Sequence, residues 1–236
     1  MKLLVVNADD LGYDPEIDRG ILEAHALGIV SSATAMVETP FAAAALRAAP
    51  TSLGIGLHAV LDPALGRADA EAVLLRQLAA FETLRGAPPT HLDSHKHAHA
   101  APEVLAAFAA IASERGLPVR AIDAAMRAAL RAQGAATADV FLGDAARRPA
   151  WTAEALLAAL AGVGEGVTEL MAHPGHAPSH ARTSFGVERE EELRALRDPA
   201  ARVLLAREGI RLCSYAEVRR HLTPSGRPAR PADAES

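Results

Sequence analysis

Four of the chain's ten histidines fall within nine residues that also hold an aspartate: His91-Leu92-Asp93-Ser94-His95-Lys96-His97-Ala98-His99. Packing alone does not account for such density, because each imidazole needs a polar partner or water at both ring nitrogens. Neutral imidazole is also the commonest side-chain metal ligand, so the stretch reads as a metal-binding segment; a solvated His-rich loop, or one that scavenges metal non-specifically, is the plain alternative. In an extended chain His91, Asp93, His95, His97 and His99 share one face. In a helix beginning after Ser94, His95 and His99 meet at i, i+4. Either geometry brings several ligands to one place.

Four further residues carry chemistry. Asp9 and Asp10 are adjacent carboxylates that repel each other unless a positive group lies nearby; capping the following helix is the plain alternative. His58 closes Gly54-Ile55-Gly56-Leu57-His58 and stands as a ligand or as a hydrogen-bonded structural histidine. His173, ahead of Pro174-Gly175, either ends a strand or works as an acid or base. One carboxylate and two imidazoles can hold a divalent cation and leave positions open for water and substrate. A spare aspartate beside them can take a proton from water, and a histidine across the pocket can give one to a leaving group. Together these parts make a metal-assisted hydrolase. No Gly-x-Ser-x-Gly elbow points instead to a serine nucleophile. His25 and His221 read as surface or packing residues, and His176 and His180 as loop residues near a substrate.

The elements that must position these groups alternate between strand and helix. Strands are expected at Leu3–Asn7, Ser32–Val37, Leu53–His58, Thr90–Ser94, Pro118–Ile122, Asp139–Leu142, Val167–Ala172 and Gly209–Cys213. Helices are expected at Asp14–Leu27, Thr39–Ala49, Ala68–Arg85, Pro102–Arg115, Asp123–Gln133, Trp151–Ala161, Glu188–Leu196, Pro199–Glu208 and Tyr215–His221. Asp14-Pro15 and Gly28 bracket the first helix as cap, first-turn proline and stop. Repeated βα units imply an all-parallel sheet, and seven or so strands favour an irregular (β/α) barrel of the TIM-barrel kind over an open doubly wound sheet. The P-loop and Gly-x-Gly-x-x-Gly fingerprints of nucleotide folds are absent. Asp9-Asp10, His58, His91–His99 and His173 each lie just past the C-terminal end of an expected strand. In a barrel those ends gather at one mouth, where active sites form. The barrel is expected to fill residues 1–222 as one domain, with Thr223–Ser236 a disordered tail rich in Pro, Ala and charge.

Composition narrows the partners. The chain has 236 residues, 50% hydrophobic and 22% charged, with a formal charge of -5 and no long basic block. That argues against nucleic acid or an anionic membrane as partner. The single Cys213 cannot form an internal disulfide. The opening Met-Lys-Leu-Leu-Val-Val reaches Asn7-Ala8-Asp9-Asp10 too soon for a signal-peptide core, and no apolar run has membrane-spanning length. A cytoplasmic protein is expected. A homo-oligomer stays open, because buried and interface helix faces look alike in an alanine-rich sequence.

Asn7-Ala8-Asp9-Asp10-Leu11-Gly12, Gly56-Leu57-His58, the His91–His99 segment, Glu169-Leu170-Met171-Ala172-His173-Pro174-Gly175 and Arg189…Glu192-Leu193 resemble, in order, the motifs of the YdjC-like carbohydrate deacetylases. The resemblance spans nearly the whole chain except the tail. It implies an irregular barrel that removes an acetyl group from a small N-acetylated carbohydrate, releasing acetate and a free amine. It implies that Asp10, His58 and His95 are metal ligands, Asp9 the general base and His173 the general acid. His97 and His99 are then substrate or second-sphere candidates, with His99 a reserve ligand in a helical segment, and Asp93 orients a ligand histidine. Two imidazoles and a carboxylate suit zinc, whereas the resemblance keeps magnesium in play. Two departures stand out: Leu11 replaces the family's usual aromatic, and the connection after His58 is short. The reaction therefore carries over better than the individual sugar. A metal-dependent phosphoesterase and a non-catalytic sugar-binding relative are the alternatives.

Overall fold

A computed structural model of the chain describes residues 1–143, 151–183 and 185–218. The expected tail and His221 lie outside the described residues. In chain order the elements are β1 (Lys2–Leu11), α1 (Pro15–Leu27), β2 (Ser32–Ala35), α2 (Ala42–Ala48), β3 (Gly54–Ala59), α3 (Arg67–Arg85), β4 (Leu92–Ser94), a 3₁₀ turn (His95–Ala100) and α4 (Pro102–Arg115). They continue with α5 (Ala124–Ala132), β5 (Val140–Leu142), α6 (Ala153–Ala161), β6 (Gly166–Ala172), α7 (Glu188–Arg197), α8 (Pro199–Arg207), β7 (Ile210–Leu212) and α9 (Tyr215–Val218).

The seven strands among the described residues are all parallel, in the order β4-β3-β2-β1-β6-β5, with β7 also pairing β1. The sheet curls into a half-barrel, which is the irregular α/β barrel expected from the sequence. β1 is its axis because everything from Leu3 to Leu11 is buried. One edge of β1 is shared: Lys2–Leu4 pair with β7 and Asn7–Leu11 with β2, while Lys2–Ala8 pair with β6 on the other edge. A strand buried on both faces needs an unbroken apolar run, which Leu3-Leu4-Val5-Val6 supplies. The helices close over the sheet through Ile17, Ile21, Leu46, Leu78, Phe81 and Phe108, all fully buried. Gly20 of α1 lets the loop after β6 approach closely: a Cβ added there would stand 2.5 Å from the Gly175 backbone.

Three local outcomes differ from expectation, and each shapes the pocket. β1 does not stop at Asn7 but runs to Leu11, with a register shift between Ala8 and Leu11 and Asp10 at φ 73°. A bulge of this kind re-aims side chains at a strand end. The expected strand Pro118–Ile122 shrinks to a single bridge between Val119 and Leu92. Pro118 has no N–H to offer, and the Val119 N–H goes to the Ala136 carbonyl, so only the Leu92 N–H to Pro118 and Arg120 N–H to Leu92 bonds tie it to β4. After Ser94 the chain is neither extended nor α-helical. It turns through Lys96 and His97 at φ 54° and 53°, a conformation that costs non-glycine residues energy and clusters at functional sites.

Candidate active site

The C-terminal ends of β1, β3, β4 and β6 meet around one cavity of about 280 Å³, lined by Asp9, Asp10, His58, His95, His97 and His173 among others. Five of the eight sequence-nominated residues are thus joined there by His97, while Asp93 and His99 lie behind the wall.

Asp10, His58 and His95 converge most tightly. His58 Nε2 and His95 Nδ1 each lie 3.3 Å from Asp10 Oδ1, and one donor atom from each falls within 4.8 Å of the others. Asp10 Oδ1 is buried without a hydrogen-bond partner among the described residues, whereas Oδ2 accepts from Arg189 Nη2 at 2.5 Å. Burial alone would raise the Asp10 carboxyl, but Arg189 and the two imidazoles hold it well below the usual range. An ionised oxygen left unpaired in a buried cradle of two imidazoles fits a divalent cation, with room for further ligands from water or substrate. His58 is turned toward this point by Asp93, whose Oδ1 receives Nδ1 at 2.7 Å. Burial opposes its protonation, yet Asp93 and Asp10 push the ring up to about 10. A bound cation would take over that proton's charge-balancing role.

Asp9, His58 and Asp93 form a second group of potential ligands, but its carboxylates already have a cation. Arg120 is fully buried and forks onto Asp9, Nη1 to Oδ2 and Nη2 to Oδ1, both at 2.7 Å. Its Nη1 also lies 2.8 Å from Asp93 Oδ2, and Nε donates to Glu169 Oε1 at 2.7 Å. Tyr215 donates to the other Glu169 oxygen at 2.5 Å. Asn7 and Thr34 complete the network, Asn7 Nδ2 to Asp9 Oδ1 at 2.8 Å and Thr34 Oγ1 to Asp93 Oδ2 at 3.0 Å. Against the cost of burial, Arg120 holds Asp9 and Asp93 below the ordinary carboxylate range. Glu169 stays raised, because burial outweighs the same guanidinium there. His173 faces this group with Nε2 at 4.0 Å from Asp9 Oδ2, and burial lowers its affinity for a proton despite the aspartates.

The histidine-rich stretch divides in two. His95 and His97 border the cavity, His97 with a buried Nδ1 that has no partner among the described residues. His91 is a core residue. It stacks on Tyr215 at 3.9 Å and bonds Asn7 Oδ1 and Thr90 Oγ1, and burial lowers it to about 3. His99, expected as a substrate contact or reserve ligand, also turns into the core. Its Nδ1 meets Ser94 Oγ at 2.5 Å and Nε2 the Arg120 carbonyl at 3.2 Å, with the ring stacked on Phe108. The left-handed turn at Lys96-His97 is the reason: it breaks the i, i+4 relation that would have set His99 beside His95.

Arg120 is not marked by the sequence: it lies in the middle of the expected strand at Pro118–Ile122, whereas the other site residues lie at strand ends. Glu169 and Arg189 appear in the motifs without a role. The loop after β6 supplies Arg182, Thr183 and Phe185 to the cavity. Asp14 holds that loop by accepting the backbone N–H groups of Ser179, His180 and Ala181 at 3.1, 2.6 and 2.8 Å. His176 bonds Glu23 and the His180 ring rests on Phe41, so both anchor the loop away from the cavity. His25 packs at the surface between Val30 O and Ser52.

The sequence profile of the YdjC-like protein family matches residues 3–73 and 63–207. A carbohydrate deacetylase of Geobacillus stearothermophilus is 34% identical over 246 residues, covering 92% of this chain and 98% of that protein. A chitooligosaccharide deacetylase of Serratia marcescens is 35% identical over 253 residues, covering 92% and 99%. A crystal structure from Enterococcus faecalis V583 superposes with TM-score 0.80 at 27% identity, covering 92% of this chain and 98% of its own. The peptidoglycan deacetylase PdaC of Bacillus subtilis shares the fold at TM-score 0.55 and 14% identity, covering 93% and 90%. The chain belongs to the YdjC-like protein family.

Proposed function

We propose that this protein is a metal-dependent hydrolase that removes the acetyl group from an N-acetylated sugar. The observation that carries the reading is the unpaired, ionised Asp10 oxygen between His58 and His95, beside a second carboxylate and a histidine that face each other in the same cavity. Relatives named carbohydrate deacetylase and chitooligosaccharide deacetylase, matched over almost their whole length, support the substrate class. At about 280 Å³ the cavity lies near the small end of ligand pockets, roughly 300–1,000 Å³, which suits one sugar ring and its acetamido group. Zinc or magnesium would be held by Asp10, His58 and His95. Such an ion polarises the acyl carbonyl and acidifies water.

The chain's own residues handle the protons. Asp9, kept ionised and fixed by the Arg120 fork, takes a proton from the water whose oxygen bonds to the acyl carbon. Its Oδ2 lies 4.0 Å from His173 Nε2, so the proton has a short path to that ring. His173 then protonates the nitrogen as the C–N bond breaks, which makes the amine a competent leaving group. Acetate and a free amino sugar result. Asp93 orients His58, and His97 faces the substrate. Under this reading the partner is a small carbohydrate. Among the described residues no helix is long and apolar enough to cross a membrane, and we assign the reaction to the cytoplasm.

The test is acetate release from a panel of N-acetylated sugars by metal-stripped protein re-supplied with single divalent ions, beside an Asp9→Asn variant. Ion-dependent release that the variant loses is the expected result. Hydrolysis of a simple phosphoester with no acetate from any sugar would overturn the reading.

A further inference from the structure

Arg189 has more hydrogen-bonding capacity than the protein uses. Its side chain is only 2% exposed. Nη2 donates to Asp10 Oδ2 at 2.5 Å and Nε to the Phe185 carbonyl at 2.9 Å, and the guanidinium lies 5.7 Å from the Phe185 ring centre. Nη1 is buried and has no partner among the described residues. Leaving a buried donor unmet is costly, the more so when it is charged. Arg189 nevertheless lines the cavity with Asp10, His95 and His173. The fold makes space for it there: a Cβ at Gly175 would stand 3.1 Å from Arg189 Cδ. With Nη2 and Nε both engaged, the planar guanidinium is fixed in direction, which a lysine ammonium could not be.

We infer that Nη1 is the donor for the acyl oxygen of the substrate and, after cleavage, for the acetate carboxylate. This rests on the deacetylase reading and extends it by a residue that touches the reacting group. Neutralising Asp10 needs only one edge of the guanidinium, so the free N–H is surplus to that task. A donor already in place where negative charge develops on the acyl oxygen stabilises that charge without reorganisation. The same N–H suits the carboxylate that hydrolysis leaves, because charged donors bind carboxylates more strongly than neutral ones.

The test compares wild type with Arg189→Lys, which keeps the charge beside Asp10, and Arg189→Gln, which keeps an N–H donor but not the charge. Three quantities are read: kcat and KM on an N-acetylated sugar, affinity for ¹³C-acetate by NMR titration of the metal-free protein, and the melting-temperature gain from a divalent ion. Both variants should lose acetate binding about tenfold or more and kcat by about 10²–10³-fold. The ion-induced gain of Arg189→Lys should stay at the wild-type value. Full acetate affinity and kcat in Arg189→Lys would overturn the inference. So would a loss of kcat that follows a loss of ion binding, since Arg189 would then merely position Asp10. If the wild type releases no acetate from any sugar, the deacetylase reading fails by itself. Arg189-dependent acetate binding would still support the carboxylate site, and its absence would overturn that too.

Discussion

Asp9 and Asp10 are neighbours of one residue type, both buried at the end of one strand, yet they inhabit opposite environments. Asp9 belongs to a closed network in which Arg120 contacts both its oxygens and also reaches Asp93 and Glu169. Asp10, turned the other way by a left-handed backbone, shares one oxygen with Arg189 and leaves the other unpaired between two imidazoles. Each carboxylate has an arginine of its own, but Arg120 takes both oxygens of the first whereas Arg189 takes only one oxygen of the second. Two buried carboxylates side by side are tolerable only if their charges are neutralised separately. The bulge in β1 makes that possible by sending the side chains to different partners.

The comparison breaks most visibly at Arg120. Arg120→Met would leave Asp9, Asp93 and Glu169 buried with no guanidinium among them. Removing one partner of a buried ion pair typically costs about 3–5 kcal/mol, so the variant should lose at least that in urea unfolding at neutral pH. A loss below about 1 kcal/mol would mean that the network is not held by charge pairing. On the open side, a divalent ion at a hundredfold excess over its Kd should stabilise the wild type by about 2.7 kcal/mol. Asp10→Asn should abolish that gain while leaving the ion-free protein folded. A variant still stabilised by the ion would place the cation elsewhere. Asp93→Asn acts one step removed, by loosening the Nδ1 bond that aims His58. Loss of such an outer partner costs about 10–100-fold in metal affinity, measurable by calorimetric titration, and an unchanged affinity would show that His58 is aimed by packing instead.

The open half of this arrangement was the more legible in the sequence. Ligand types are few, and Asp10, His58 and His95 each lie at the end of a segment expected to be a strand, so strand order alone brings them together at one mouth. The closed half was not legible, for two physical reasons. Its central residue is an arginine, whose long side chain is ordinarily solvated and whose burial depends on partners from β1, β4 and β6 that no local pattern reveals. The density of the His91–His99 stretch also pointed to more histidines at the cavity than border it. His91 and His99 are core histidines whose ring nitrogens find Asn7, Thr90, Ser94 and the Arg120 carbonyl, partners that only the folded chain assembles. The bulge at Asp10 and the left-handed pair Lys96-His97 lay beyond propensity altogether, because non-glycine residues adopt such backbones only where tertiary contacts impose them.

Asp18 extends the comparison to a buried carboxylate with no cation beside it among the described residues. Among the described residues its carboxylate accepts one hydrogen bond, from the Gly12 N–H at 2.5 Å from Oδ1. Burial raises its carboxyl to about 7, Asp14 adds repulsion, and the Gly12 bond offsets them only in part. Lacking a counter-charge, Asp18 holds its proton until the pH nears 7, the third solution to the same problem. The folded state therefore binds a proton that the unfolded chain releases near pH 3.8. The associated stability is complete below that pH and drains away as pH rises toward 7, above which the cost of the buried charge is constant. Asp18→Asn retains the acceptor for Gly12 and never ionises. Its stability relative to wild type should climb between pH 4 and 7 and then level off, by on the order of 1–2 kcal/mol after allowance for partial solvation. Urea unfolding at half-unit pH intervals would trace the curve. A flat difference across that window would show that Asp18 is ionised in the folded protein, and that one backbone N–H suffices where Asp9 requires a guanidinium.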